Sequence, residues 1–178
     1  MTSEDDDIQH ASIAPGDHTA YLQYALSLAK RSPPKPTNYR VGAVIVNPAN
    51  NTVVSTGYTL ELPGNTHAEQ CCFMKLAEQY GVTEEELGSV IKTPLALYTT
   101  MEPCSIRLSG NLPCTKRILQ LRSFIKTVYV GVQEPEKFVK DNTGRGAFER
   151  AGVDFVHVKG LEGEILRVAT AGHVKNPS

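Results

Sequence analysis

The 178-residue chain has almost no net charge: 18 Lys and Arg stand against 19 Asp and Glu, a formal balance of −1. Without a surplus of cations there is no electrostatic reason to expect nucleic acid or an anionic membrane as a partner. No apolar run approaches the roughly 20 residues that cross a bilayer. The opening residues, MTSEDDDIQH, are acidic where a secretory or mitochondrial signal is basic. A cytoplasmic protein that binds a small ligand, with no nucleic acid and no membrane, is the expectation. Cysteine is scarce too. Four residues, two of them neighbours, make a poor disulfide framework, and in a reducing compartment spaced cysteines point to metal or catalysis. Internal repeats and low-complexity tracts are absent, which excludes a solenoid.

What remains, 40% hydrophobic and 21% charged residues, fits one ordinary globular domain with a sizeable core. Residues 1–16 carry Glu4, Asp5, Asp6 and Asp7 with little apolar content and read as an acidic mobile tail, so the domain spans 17–178. Leu22, Ala25, Leu26 and Ala29 recur at helical spacing after Asp17, a capping residue, until RSPPKP stops the helix. The β-branched runs 41–47 and 51–59, separated by PAN, predict an antiparallel hairpin. A helix from His67 to Tyr80 and a polar TEEEL turn follow. Then strands at 94–100, 127–132 and 153–158 alternate with helices at 113–121, 144–152 and 161–172. Helices between consecutive strands imply parallel crossovers. The predicted fold is therefore an α/β/α sandwich around a five-stranded mixed sheet whose last two strands are parallel. Ligands in such sheets bind beyond the carboxyl ends of the parallel strands, where YTTMEPC lies.

The reactive side chains concentrate in two places. NTHAEQCCF (65–73) holds His67, Glu69, Cys71 and Cys72, while PCSIRLSGNLPC (103–114) holds Cys104 and Cys114. His67, Cys104 and Cys114 are three zinc-competent ligands. A catalytic zinc keeps three protein ligands and leaves the fourth position to water, whereas a structural zinc is closed by four. Cys71, four residues from His67, would close the shell if it joined. That alternative leaves the H-x-E spacing and the long insert without purpose, and Cys71 and Cys72 are expected to be small buried side chains of the helix. Glu69 is spaced to carry the proton of a zinc-activated water to a leaving group. His10, His18, His157 and His173 have no spaced partners and read as structural or exposed. Gly144 and Gly146 suggest a tight turn into a helix rather than a nucleotide loop.

HAE and PC resemble the zinc deaminases, in which an H-x-E glutamate shuttles protons and a P-C-x-x-C segment supplies the remaining ligands. Here nine residues, not two, separate Cys104 from Cys114. That insert, with NYRVGAVIV and GRGAFERAGVDFV, resembles the riboflavin-pathway pyrimidine deaminases, most closely the fungal type, over roughly residues 18–160. The chain ends at Ser178, too early for the reductase domain that bacterial members carry. The resemblance implies a cytidine deaminase-like fold and a Zn2+ cofactor. It implies hydrolytic removal of the C2 amino group from a phosphorylated ribitylamino pyrimidine, with Glu69 as catalytic acid/base, in a homodimer. It also assigns Asn38 and Ala68 to substrate binding, and a phosphorylated substrate places Arg107, Ser109 and Asn111 within the same binding set. Where family members tend to place a histidine before H-A-E, this chain has only Thr59 and Glu61. Deoxycytidylate, guanine and tRNA adenosine deaminases are the enzymatic alternatives, but they keep the two cysteines close. An inactive zinc subunit is the non-enzymatic alternative.

Overall fold

The computed structural model describes residues 13–105, 107, 111–133 and 144–174. Helix α1 (His18–Ala29) begins where the sequence predicts, with the Asp17 carboxylate accepting the Ala20 N–H at 3.0 Å. Strands β1 (Gly42–Asn47) and β2 (Thr52–Tyr58) form the antiparallel hairpin. Helix α2 (Ala68–Tyr80) takes His67 as its N-cap and ends at Gly81, whose φ of 65° is the left-handed conformation that favours glycine. A single turn of helix, α3 (Leu87–Val90), occupies the end of the stretch that reads as a polar turn. Leu87 is fully buried, and its docking against the core orders residues that composition alone assigns to a loop. Strand β3 (Leu95–Met101), α4 (Cys114–Gln120), β4 (Ile125–Val132), α5 (Gly144–Arg150), β5 (Asp154–His157) and α6 (Glu162–Ala169) complete the order.

The strands lie in the order β2-β1-β3-β4-β5. β1 is antiparallel to both neighbours, and β3, β4 and β5 run parallel, so the mixed five-stranded sheet is the one expected. Each inner strand divides its side chains between two cores. Ala43, Ile45, Leu95, Leu97, Val128 and Val130 pack under α2, α4 and α5 with Phe73, Leu76, Ile118 and Phe148. Val44, Val46, Ala96 and Tyr98 pack under α1 and α6 with Leu22, Ala25 and Ile165. Continuous β-branched and aliphatic runs follow from burial on both faces.

Two glycines let helices approach the sheet at backbone distance. A Cβ on Gly42 would lie 1.8 Å from the Ala25 carbonyl oxygen of α1, and one on Gly57 would lie 2.3 Å from the Ala68 oxygen at the start of α2. The second contact seats the first turn of α2, which carries His67 and Glu69, directly on β2. At the amino end, Ile13 is buried and its carbonyl accepts from Asn51 Nδ2 at 2.8 Å, so the last residues of the expected tail pack on the domain. Residues 1–12 of that tail lie outside the described residues.

Candidate active site

Three backbone features converge at the carboxyl end of β3. The chain leaves β3 at Met101 and is pinned by the Glu102 N–H donating to the Val132 carbonyl at 2.8 Å. It then reaches Cys104, whose carbonyl accepts the Thr115 N–H at 3.0 Å, while the Thr115 hydroxyl donates to the Pro103 carbonyl at 3.2 Å. The two ends of the long insert are thus tied together, with Cys114 as the first residue of α4. From the hairpin side, α2 brings in His67, whose N–H meets Gln70 Oε1 at 3.4 Å.

The result is a cluster of His67, Cys104 and Cys114 whose donor atoms lie within 4.8 Å of one another. His67 Nδ1 is 3.5 Å from each of the two Sγ atoms, and the Cys114 N–H donates to Cys104 Sγ at 3.3 Å. A tetrahedral zinc with bonds of about 2.0–2.1 Å to nitrogen and about 2.3 Å to sulfur holds such donors roughly 3.5 Å apart. The chemistry and spacing of this donor set therefore fit zinc. Cys104 is drawn to the thiolate, down to about 4, first by the hydrogen bond from the Cys114 thiol and then by those from His67 and the Cys114 N–H. Cys114, which keeps its proton in that pair and is fully buried, is pushed up.

Glu69, in the first turn of α2, is only 4% exposed. Burial pushes its carboxyl above the usual range, opposed by its own backbone N–H. The Thr99 hydroxyl donates to its Oε1 at 2.9 Å. A carboxyl held dry beside a metal-competent triad is suited to moving a proton.

Cys71 and Cys72 have no exposed surface and stand apart from the triad. The Cys72 thiol donates to the Ala43 carbonyl at 3.5 Å, and burial pushes both thiols up. Ala68 is likewise fully buried, its side chain in the core under α2. Asn38 is half-buried and donates from Nδ2 to Asn65 Oδ1 at 3.4 Å, two residues before His67. Arg107 turns back to the same segment: its guanidinium donates to Gln70 Oε1 at 2.9 Å and to the Asn65 carbonyl at 2.8 Å. Asn111 is exposed, and Ser109 lies outside the described residues. Thr59 and Glu61 already have partners, the Val41 N–H and Lys75 respectively. His18 bonds Tyr98, His157 faces Glu162 and the Gly131 carbonyl, and His173 contacts the Asn38 carbonyl. His10 lies outside the described residues. Sequence reading missed Thr99, Gln70 and Asn65. Only Thr99 left a trace, as the polar member of an otherwise apolar alternation with Leu95 and Leu97.

An α/β/α sandwich with a His/Cys/Cys cluster and an adjacent buried glutamate defines a zinc-deaminase type of domain. Residues 15–132 match the family described as the cytidine and deoxycytidylate deaminase zinc-binding region, and the chain belongs to that family. Within it the chain is similar to the diaminohydroxyphosphoribosylamino-pyrimidine deaminase of Schizosaccharomyces pombe, at 38% identity over 161 residues. That match covers 90% of this chain and 37% of the S. pombe protein, so the chain spans little more than a third of the length of that relative. Among solved structures it is similar to the Aspergillus oryzae Rib2 deaminase in complex with DARIPP, at 46% identity and a TM-score of 0.80, covering 90% of this chain and 92% of that one. The Thermotoga maritima deaminase/reductase shares the fold, with a TM-score of 0.66 at 24% identity over 87% of this chain and 40% of its own. No helix among the described residues is long and apolar enough to cross a membrane.

Proposed function

We propose that the domain is a zinc-dependent hydrolytic deaminase of riboflavin biosynthesis. Its substrate would be 2,5-diamino-6-ribitylamino-4(3H)-pyrimidinone 5'-phosphate, from which the C2 amino group leaves as ammonia. The observation that carries this reading is a three-donor cluster with a buried carboxylate at its side, in a chain 46% identical to a deaminase solved with DARIPP. His67, Cys104 and Cys114 would hold the zinc. When bound, zinc supplies Lewis-acid activation of water, lowering the pKa at which that water can act as a nucleophile. Glu69 takes the proton from the attacking water and delivers it to the departing amino nitrogen, so that water and the amino-pyrimidine become the carbonyl product and ammonia.

Binding falls to residues around this centre. Asn38, which donates to Asn65 two residues before His67, would bond the pyrimidine, and Ser109 and Asn111 of the insert would meet the phosphate. Arg107 donates to Gln70 and the Asn65 carbonyl, which braces it against the start of α2, and its other N–H groups would meet the phosphate. Ala68, whose side chain packs in the core, would contribute through its backbone. The reading includes a cytoplasmic location and a homodimer, and sedimentation at micromolar concentration tests the dimer.

Ammonia release measured on the ribityl and ribosyl forms of the diaminopyrimidinone phosphate, beside cytidine and deoxycytidylate, tests the assignment. Turnover of the ribityl form above the other three is expected. Preferential turnover of deoxycytidylate would overturn it in favour of the nucleotide deaminases of the same family.

A further inference from the structure

On the face of β3 turned toward α2 the alternating positions are Leu95, Leu97 and Thr99: two leucines of the core, then a hydroxyl with no exposed surface. A buried hydroxyl in an apolar layer is costly unless it is hydrogen-bonded. Thr99 has two acceptors within reach, Glu69 Oε1 at 2.9 Å and the Met101 carbonyl at 3.0 Å. Its single proton serves one of them at a time. The Met101 carbonyl alone would satisfy it, so the approach of the Glu69 carboxylate is not needed to bury the threonine.

The need runs the other way. Glutamate has three rotatable side-chain bonds, and a proton carrier is effective only when its oxygens are held where the proton must go. Among the described residues, the other side chains that act on this carboxylate, His67, Cys104 and Cys114, are those of the triad itself. Thr99 is an anchor outside the triad, and it sits on a stiff support: its Cα pairs with Ala43 of β1 on one side and Val130 of β4 on the other. We propose that Thr99 is a positioning residue for the reaction, its hydroxyl fixing one oxygen of Glu69 so that the other faces the space bounded by His67, Cys104 and Cys114. The kinetic consequence rests on the deaminase reading; the placement of the carboxylate does not.

Thr99→Val removes the hydroxyl and keeps the shape, whereas Thr99→Ser keeps the hydroxyl. Loss of a group that orients a metal-site residue costs about 10- to 100-fold in activity. The valine variant should lose kcat by about that factor with KM within about two-fold, and the serine variant should recover most of the loss. Zinc content per chain should match the wild type in both, and thermal unfolding shows whether each is folded. A crystal structure of Thr99→Val should show the Glu69 carboxylate displaced. Wild-type kcat in Thr99→Val, a serine variant no better than valine, or an unmoved carboxylate would each overturn the proposal. Should the wild type release no ammonia from any substrate, it is the deaminase reading that fails, and the carboxylate position in the crystal still decides the role of Thr99.

Discussion

Cys71 and Cys104 are both cysteines near His67, yet their surroundings give them opposite chemistry. Cys104 receives hydrogen bonds from a thiol, an imidazole and a backbone N–H, which favour the thiolate that a metal needs. Cys71 is sealed in the core, where burial favours the neutral thiol. Cys104→Ser should therefore lose most bound zinc. Cys71→Ala should keep about one zinc per chain and cost on the order of 1 kcal/mol in stability. Metal analysis of the two purified variants separates them, and loss of zinc from Cys71→Ala would mean a four-ligand shell. At this scale the sequence was informative where chemistry is local. His67 and Glu69 stand two apart at a helix start, and the cysteines are rare and spaced. Thr99 escaped because its partner is 30 residues away and reached only through the fold. Arg107 was read as a phosphate contact, and its bonds to Gln70 and Asn65 depend on how the insert folds back, which no spacing rule predicts.

The site is assembled from element ends: the first turns of α2 and α4 and the carboxyl end of β3. What fixes those ends should control it. Gly57 allows the first turn of α2 to rest on β2, and a methyl group there would meet the Ala68 carbonyl at 2.3 Å. Gly57→Ala should destabilise the fold by about 1–3 kcal/mol, as overpacking of a core does, with a matching fall in Tm. α4 is secured by Arg117, whose Nη1 lies 2.7 Å from Glu84 Oε2 in a pair with little exposure. Arg117→Ala would strand the Glu84 carboxylate, already pushed up by burial, and should cost about 1–3 kcal/mol in chemical denaturation. A change within error would show that α4 is held by Ile118 and its apolar neighbours alone. The elements themselves were legible, since continuous β-branched and apolar runs gave the strands and apolar residues at helical spacing the helices. The short α3 was not, because its one apolar anchor, Leu87, sits in a run of glutamates that composition reads as a turn.

Across the whole molecule, the triad joins segments that are separate in sequence: His67 from the hairpin half, Cys104 and Cys114 from the parallel half. A metal bound there would cross-link the two halves and so favour the folded chain, where the three donors are brought together. Such a ligand at 100 times its dissociation constant adds about 2.7 kcal/mol to stability. Removing it with a chelator should lower Tm by several degrees, and adding zinc back should restore it. An unchanged Tm would place the metal elsewhere or nowhere. The parallel pairs followed from the alternation of helices and strands, whereas the order that puts β1 between β2 and β3 did not. The packing of Ile13 against the domain did not, because the few apolar residues of that acidic, proline-containing stretch carry no period.

The chemistry assigned to this site depends on Glu69 carrying protons without holding the metal. Glu69→Gln keeps the size and the reach to Thr99 but cannot carry the proton. Measured side by side for ammonia release from the ribitylamino pyrimidine phosphate and for zinc content, the variant should retain the wild-type zinc and lose activity by at least about 100-fold. A zinc-loaded Glu69→Gln protein that still releases ammonia at the wild-type rate would contradict the assignment.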